Sequence, residues 1–242
     1  MISEYMNERI IITGSNGLVG SVLKNALSEY YTIIGIDKVG ESDDTSTVIG
    51  DISDFESLRQ IFTDNHPVST ILHLAANPHP HTSADVIFKD NFITTRNIYE
   101  CAKEFNVKRV IFAGSTHMFG GYEGYPLSSP LGRPITNADL ASSDSDYGDS
   151  KTYGEILGQR YFNQFGTESI SIRIGHVTKD DKPEAPYEPL WLSYRDLVQV
   201  FHKAIETKIT HGAYFAMSDN KNLMFDISST IKDLGYKPQD NA

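Results

Sequence analysis

Tyr147 and Lys151 stand four residues apart in Tyr147-Gly148-Asp149-Ser150-Lys151, and glycines recur near the N-terminus at 14, 17 and 20. Side chains four apart on a helix share a face, so the phenol and the ammonium can enter one cleft. A phenol is a poor base near neutral pH, and a neighbouring positive charge favours its ionised form. The pair therefore suits removal of a proton from a hydroxyl. Ser115 follows the apolar run Val110–Ala113, where its own hydroxyl could bond the same substrate oxygen. The glycines suit a different task. Gly14-Ser15-Asn16-Gly17-Leu18-Val19-Gly20 follows Ile10-Ile11-Ile12 and opens an apolar pattern at Val19, Val22, Leu23 and Leu27, so backbone amides can approach a pyrophosphate at a helix N-terminus. Asp37 falls about 20 residues further on, where a carboxylate accepts both adenosine ribose hydroxyls and repels a 2′-phosphate. NAD is predicted over NADP, with Lys38 beside Asp37 leaving room for residual NADP use.

Elements able to position these groups alternate along the chain. Short β-branched runs at Ile10–Thr13, Thr32–Asp37, Thr47–Gly50, Thr70–Ala75, Val110–Ala113, Ser169–Ile174 and Tyr214–Ala216 read as strands. Helical patterns lie near 18–29, 54–64, 84–105, 146–165 and 194–206. Ser53 with Glu56, and Ser193 with Asp196, have capping-box spacing and predict helix starts. This alternation predicts a doubly wound α/β fold: a parallel sheet covered on both faces, its strand C-terminal ends forming a ligand edge. Gly120–Ser145 and Thr178–Pro189 read as loops leaving that edge.

At 242 residues the chain suits one α/β domain with a small appended lobe. A formal charge of −11 without clustered Lys and Arg argues against a nucleic-acid surface. Cys101, the single cysteine, rules out an intramolecular disulfide and reads as a core thiol in a reducing compartment. The first residues lack a signal-peptide pattern, and no apolar run reaches membrane-spanning length. A soluble, cytoplasmic protein with no membrane partner is expected.

Taken together, the motifs resemble the extended short-chain dehydrogenase/reductase (NAD-dependent epimerase/dehydratase) family over nearly the whole chain. The resemblance implies a Rossmann domain over residues 1–242, with substrate-lobe segments near 176–195 and 217–242. It implies Ser115, Tyr147 and Lys151 as a catalytic triad, with Tyr147 as general base and Lys151 also holding the nicotinamide ribose. NAD would lie against Gly14, Asn16, Gly17, Leu18 and Gly20, with Asp37 on the ribose, Asp51 and Ile52 at the adenine, Leu74, Ala75 and Ala76 beneath, and Asn91 on the following helix. The family also implies a homo-oligomer formed through the Tyr147 helix and its neighbour near 84–105.

Only about 70 residues follow Arg173, which is short for a nucleotide-sugar lobe. Ser115-Thr116-His117-Met118-Phe119-Gly120, Arg173-Ile174-Gly175 and the Leu234–Ala242 tail look most like uronate dehydrogenases, which oxidise C1 of a free hexuronic acid to a lactone. The implied substrate contacts are Pro78, Ser115, Thr116, His117, His176 and Glu188. Three of them depart from the pattern: Thr116 replaces an asparagine, His176 a serine, and Glu188 aligns with the carboxylate-binding arginine. A glutamate there would repel a uronate, so the departures favour a neutral aldose, while His79, His81 or His176 could serve a sugar phosphate. Asn77-Pro78-His79-Pro80-His81 reads as a pocket rim, since its prolines break regular metal-ligand spacing and no metal site is expected. Trp191 reads either as a sugar-stacking platform or as a core or interface anchor.

The leading expectation is an NAD-dependent dehydrogenase converting a free aldose or uronic acid to its lactone. A nucleotide-sugar epimerase or dehydratase with retained NAD is the alternative, followed by a non-catalytic NAD-binding regulator.

Overall fold

The computed structural model describes residues 8–40, 46–122, 124–125 and 128–242. The stretch read for a signal peptide lies largely outside them. Among the described residues seven parallel strands form one sheet: β1 (Arg9–Thr13), β2 (Thr32–Asp37), β3 (Thr47–Ile49), β4 (Thr70–His73), β5 (Arg109–Ser115), β6 (Glu168–Ile174) and β7 (His211–Ala216). Their order is β3-β2-β1-β4-β5-β6-β7, so chain direction across the sheet reverses between β1 and β4 and opens a crevice there. Ile10, Ile11 and Ile12 are fully buried, as expected of a central strand covered on both faces.

One face is covered by α1 (Leu18–Leu27) and α5 (Tyr194–Glu206), whose Leu23, Leu27, Leu197, Val200 and Phe201 enter one core. On the other face α2 (Phe55–Asn65), α3 and α4 (Asp146–Phe165) bury Leu58, Phe62, Ile98, Tyr99, Leu157 and Tyr161. Helix α3 runs through Ala84–Ile87, a π-helical segment Phe88–Ile93 and Thr94–Glu104. Cys101 lies in this second core, where burial pushes its thiol up to about 12 and leaves it inert.

Arg109 ties β5 to the end of α5. Its guanidinium donates to Glu168 and to the carbonyls of Ala204, Ile205, Thr207 and Ile209 at 2.7–3.1 Å. Orphan carbonyls at the helix C-terminus are thereby satisfied.

Three expectations need correction. The cap of α2 is Asp54, which accepts from the Glu56 and Ser57 N–H groups, not Ser53. Strand β4 stops at His73, because the Leu74 and Ala75 amides turn to the Thr13 hydroxyl. A short helix α6 (Ser228–Leu234) follows β7 and was not foreseen. Ser193 does cap α5, accepting from the Asp196 N–H. Asp196 in turn accepts the Gln239 and Asp240 amides and ties the tail against α5. Among the described residues no helix is long and apolar enough to cross a membrane.

Candidate active site

At the strand C-terminal ends a cavity of about 880 Å³ runs from the β1–α1 turn past β4 and β5 to the loop after β6. That size lies within the ordinary range for cofactor and substrate sites. Its first end is backbone. Gly14 has φ +70°, and a Cβ there would lie 2.8 Å from the Ala75 nitrogen; at Gly20 one would lie 2.0 Å from the Gly14 oxygen. Only glycine permits this approach of turn, helix and strand. Gly17 starts α1 without a side-chain cap, so the first-turn amides at Leu18 and Val19, which line the cavity, suit a ligand anion. These features fit a dinucleotide pyrophosphate.

Asp37 lines the same end and accepts the Asn16 N–H at 2.9 Å and the Val39 N–H at 3.2 Å, which fixes its carboxylate at the end of β2. Lys38 is drawn away to Asp90 at 2.6 Å and Asp51 at 3.5 Å. Ile52, Leu74, Ala75 and Ala76 line the cavity floor. Asp51 is not among the lining residues. It binds Lys38, Lys89 and the Ser53 N–H, which outweigh burial and hold its carboxyl down at about 2. Nor does Asn91 line the cavity. The π segment turns it inward, where it pairs with both backbone groups of Asn77 and donates to Ser150 Oγ at 3.0 Å. Asn91 thereby links the Asn77 backbone beside the cavity to the helix that carries Tyr147.

Ser115, Tyr147 and Lys151 meet where β5 ends against the first turn of α4. Ser145 caps that helix, accepting from the Gly148 N–H at 3.2 Å, and so sets the Tyr147 backbone. Burial pushes the Tyr147 phenol up, while a hydrogen bond with Ser115 pulls it back. Lys151 donates to the Ala113 carbonyl at 2.8 Å, and burial pushes its ammonium down to about 7. Its Nζ lies 5.6 Å from the Tyr147 ring centroid. A buried phenol, a hydroxyl that bonds it and an amine beneath can together pass a proton to or from one substrate oxygen.

Beyond Tyr147 the lining is Pro78, His79, His117 and His176. His117 Nδ1 pairs with Asp144 Oδ2 at 2.7 Å, and its ring meets Tyr147 edge-on at 5.6 Å. His176 Nε2 pairs with Glu184 Oε1 at 2.8 Å and stacks on Tyr187 at 4.8 Å. Thr116 and Glu188 do not line this space. Thr116 is buried against the Tyr125 hydroxyl at 3.1 Å. Glu188 begins a short 3-10 turn, and its neighbour Tyr187 makes the His176 contact instead. Trp191 is buried outside the cavity, so the core-anchor reading stands. Among the described residues no group of three or more His, Cys, Asp or Glu could hold a metal ion.

Sequence reasoning missed His73, Asp144 and Glu184. His73 sits fully buried beneath the cavity, pushed down to about 3 mainly by burial and further by Lys151. Thr13 Oγ1 accepts the Leu74 and Ala75 amides, so its hydrogen points to His73 Nδ1 at 2.8 Å, leaving Nε2–H to donate to Thr95 at 3.1 Å. A histidine inside an apolar strand was the available signal. The two carboxylates gave none, because their pairings depend on how loops fold back.

Residues 10–181 match the model of the NAD dependent epimerase/dehydratase family. An NAD-dependent glucose-6-phosphate dehydrogenase of Haloferax volcanii is 28% identical, over 98% of this chain and 95% of its own. An L-arabinose 1-dehydrogenase (NAD(P)(+)) of the same organism is 30% identical over 97% of both chains. A uronate dehydrogenase of Pseudomonas syringae is 31% identical, over 97% of this chain and 82% of its own. The crystal structure of uronate dehydrogenase from Agrobacterium tumefaciens superposes with TM-score 0.85 at 26% identity, over 97% of this chain and 85% of that one. With family model, full-length relatives and fold in agreement, the chain belongs to the NAD dependent epimerase/dehydratase family.

Proposed function

We propose that the protein is an NAD-dependent dehydrogenase of free sugars that oxidises C1 of an aldose or uronic acid to the lactone. The observation that carries this reading is one continuous cavity with the glycine cradle at one end and Ser115, Tyr147 and Lys151 at the other. Relatives named L-arabinose 1-dehydrogenase and uronate dehydrogenase support it, and one named NAD-dependent glucose-6-phosphate dehydrogenase supports NAD-dependent sugar oxidation more broadly. NAD, when bound, supplies the hydride acceptor. Gly14, Gly17 and Gly20 hold its pyrophosphate, and Asp37 holds the adenosine ribose and disfavours NADP. Tyr147, as the phenolate that Lys151 favours, takes the proton from the C1 hydroxyl, and Ser115 holds that oxygen in place. Residues 176–195 and 217–242 form the substrate lobe of a single Rossmann domain.

The site works in the cytoplasm in this reading, as part of a homo-oligomer built on α3 and α4. Exposed Phe88 and Ile156 on those helices, with the Phe88–Phe92–Tyr153 ring run between them, support a second copy packing there.

The test is incubation with NAD and a panel of free sugars. Accumulation of one NADH per lactone is expected. Interconversion of nucleotide sugars without NADH accumulation would point instead to an epimerase.

A further inference from the structure

The charge at the substrate end of the cavity narrows the substrate class, an inference that rests on the sugar-dehydrogenase reading. Among the lining residues only Lys38 and Lys151 are lysine or arginine. Lys38 lies at the far, adenosine end and is bound by Asp90 and Asp51. Lys151 is enclosed beneath Tyr147 with its bond to Ala113. What remains near the sugar is imidazole. Two of the three histidines there already hold a carboxylate: His117 with Asp144 and His176 with Glu184. An imidazole bound to a carboxylate sums to zero charge when protonated and to −1 when not. Neither pair can present net positive charge to a substrate. His79, the third, sits exposed on the rim.

A carboxylate or phosphate entering this space would lose hydration without meeting a compensating cation. Hydroxyls face no such cost. Each paired histidine leaves its second ring nitrogen for a hydroxyl, which can both donate and accept. Tyr187, stacked on His176 from outside the cavity lining, holds the imidazole that faces the substrate in a fixed plane.

We propose that the substrate is an uncharged aldose, and that the His176–Glu184 pair stacked on Tyr187 is the specificity-determining element that disfavours sugar acids and sugar phosphates. Glu184 is its accessible half, with a side chain 61% exposed on the loop after β6, so it tolerates replacement without loss of the fold.

The experiment compares kcat/KM for NADH formation on matched sugars: glucose against glucuronate and glucose 6-phosphate, galactose against galacturonate, and arabinose. The neutral member of each pair is expected to lead by about tenfold or more. Glu184→Arg, which replaces the carboxylate with a fork able to hold one, should raise the uronate-to-hexose ratio by about tenfold, mainly through the KM for the uronate. Glu184→Gln should move the ratio the same way by less. Preference of the unmodified protein for a uronate or sugar phosphate would overturn the proposal, as would a ratio indifferent to both substitutions. If no sugar yields NADH from protein that quenches its own fluorescence on binding NAD, the dehydrogenase reading itself falls, and this inference with it.

Discussion

At position 151 burial and chemistry pull in opposite directions, because the ammonium that supports Tyr147 is enclosed and pushed from 10.5 down to about 7. Between those values the unfolded chain holds a proton that the folded chain has released, so stability rises with pH across that window. Below about 7 both states are protonated and the cost of the buried charge is felt in full. Lys151→Met should therefore raise unfolding free energy near pH 6 by roughly 2–4 kcal/mol while abolishing turnover, and the gain should shrink toward pH 10. Chemical denaturation at the two pH values checks this. An equal effect at both would contradict the burial account. Tyr147→Phe keeps the ring against His117 and removes only the hydroxyl, so kcat should fall by about a hundredfold or more while NAD affinity stays within about twofold. Turnover above a few per cent would place the base elsewhere. Tyr147 with Lys151, and the glycines, were legible because their spacing is local, while Ser115 was read from its place after an apolar strand run. The carboxylates that pair with the pocket histidines, Asp144 and Glu184, were not legible, since each reaches its histidine across a loop.

At the scale of elements, the π segment in α3 couples the two halves of the site. It presents Asn91 to the Asn77 backbone beside the cavity and to Ser150 on the catalytic helix. Asn91→Ala strands those groups in a buried setting and should cost about 2–3 kcal/mol of stability. It should also lower kcat more than NAD affinity, because the shifted partner is the helix that carries Tyr147. Calorimetry beside steady-state kinetics tests this, and unchanged kcat would confine Asn91 to folding. Six of the seven strands matched their apolar runs to within two residues at each end. The exception, β7, starts three residues earlier than its run, at His211, because pairing with β6 recruits residues whose types carry no strand signal. Helix α6 escaped notice because seven residues give little periodicity. Glu188 was aligned across a proline-rich loop, where spacing does not fix which side chain meets the cavity; its neighbour Tyr187 stacks on His176, and neither residue lines the cavity.

At the scale of the whole molecule, the doubly wound topology could be read from strand–helix alternation, and it alone brings residues 14, 37, 115 and 147 to one edge. The surface opposite the α1–α5 face is less typical of a lone chain. Phe88 is 59% and Ile156 62% exposed on neighbouring helices, and a second copy would remove that apolar area from water. Ile156→Asp should shift the protein from dimer to monomer in sedimentation velocity; a monomer before substitution would refute the interface. The central claim is oxidation of a free sugar at C1, and its most direct test is the reaction of the preferred aldose labelled with deuterium at C1 alone. The label should appear on reduced NAD in equal amount to the lactone formed, with a slowed rate when chemistry limits turnover. Label retained in the sugar product, with NAD unchanged at the end, would contradict the account.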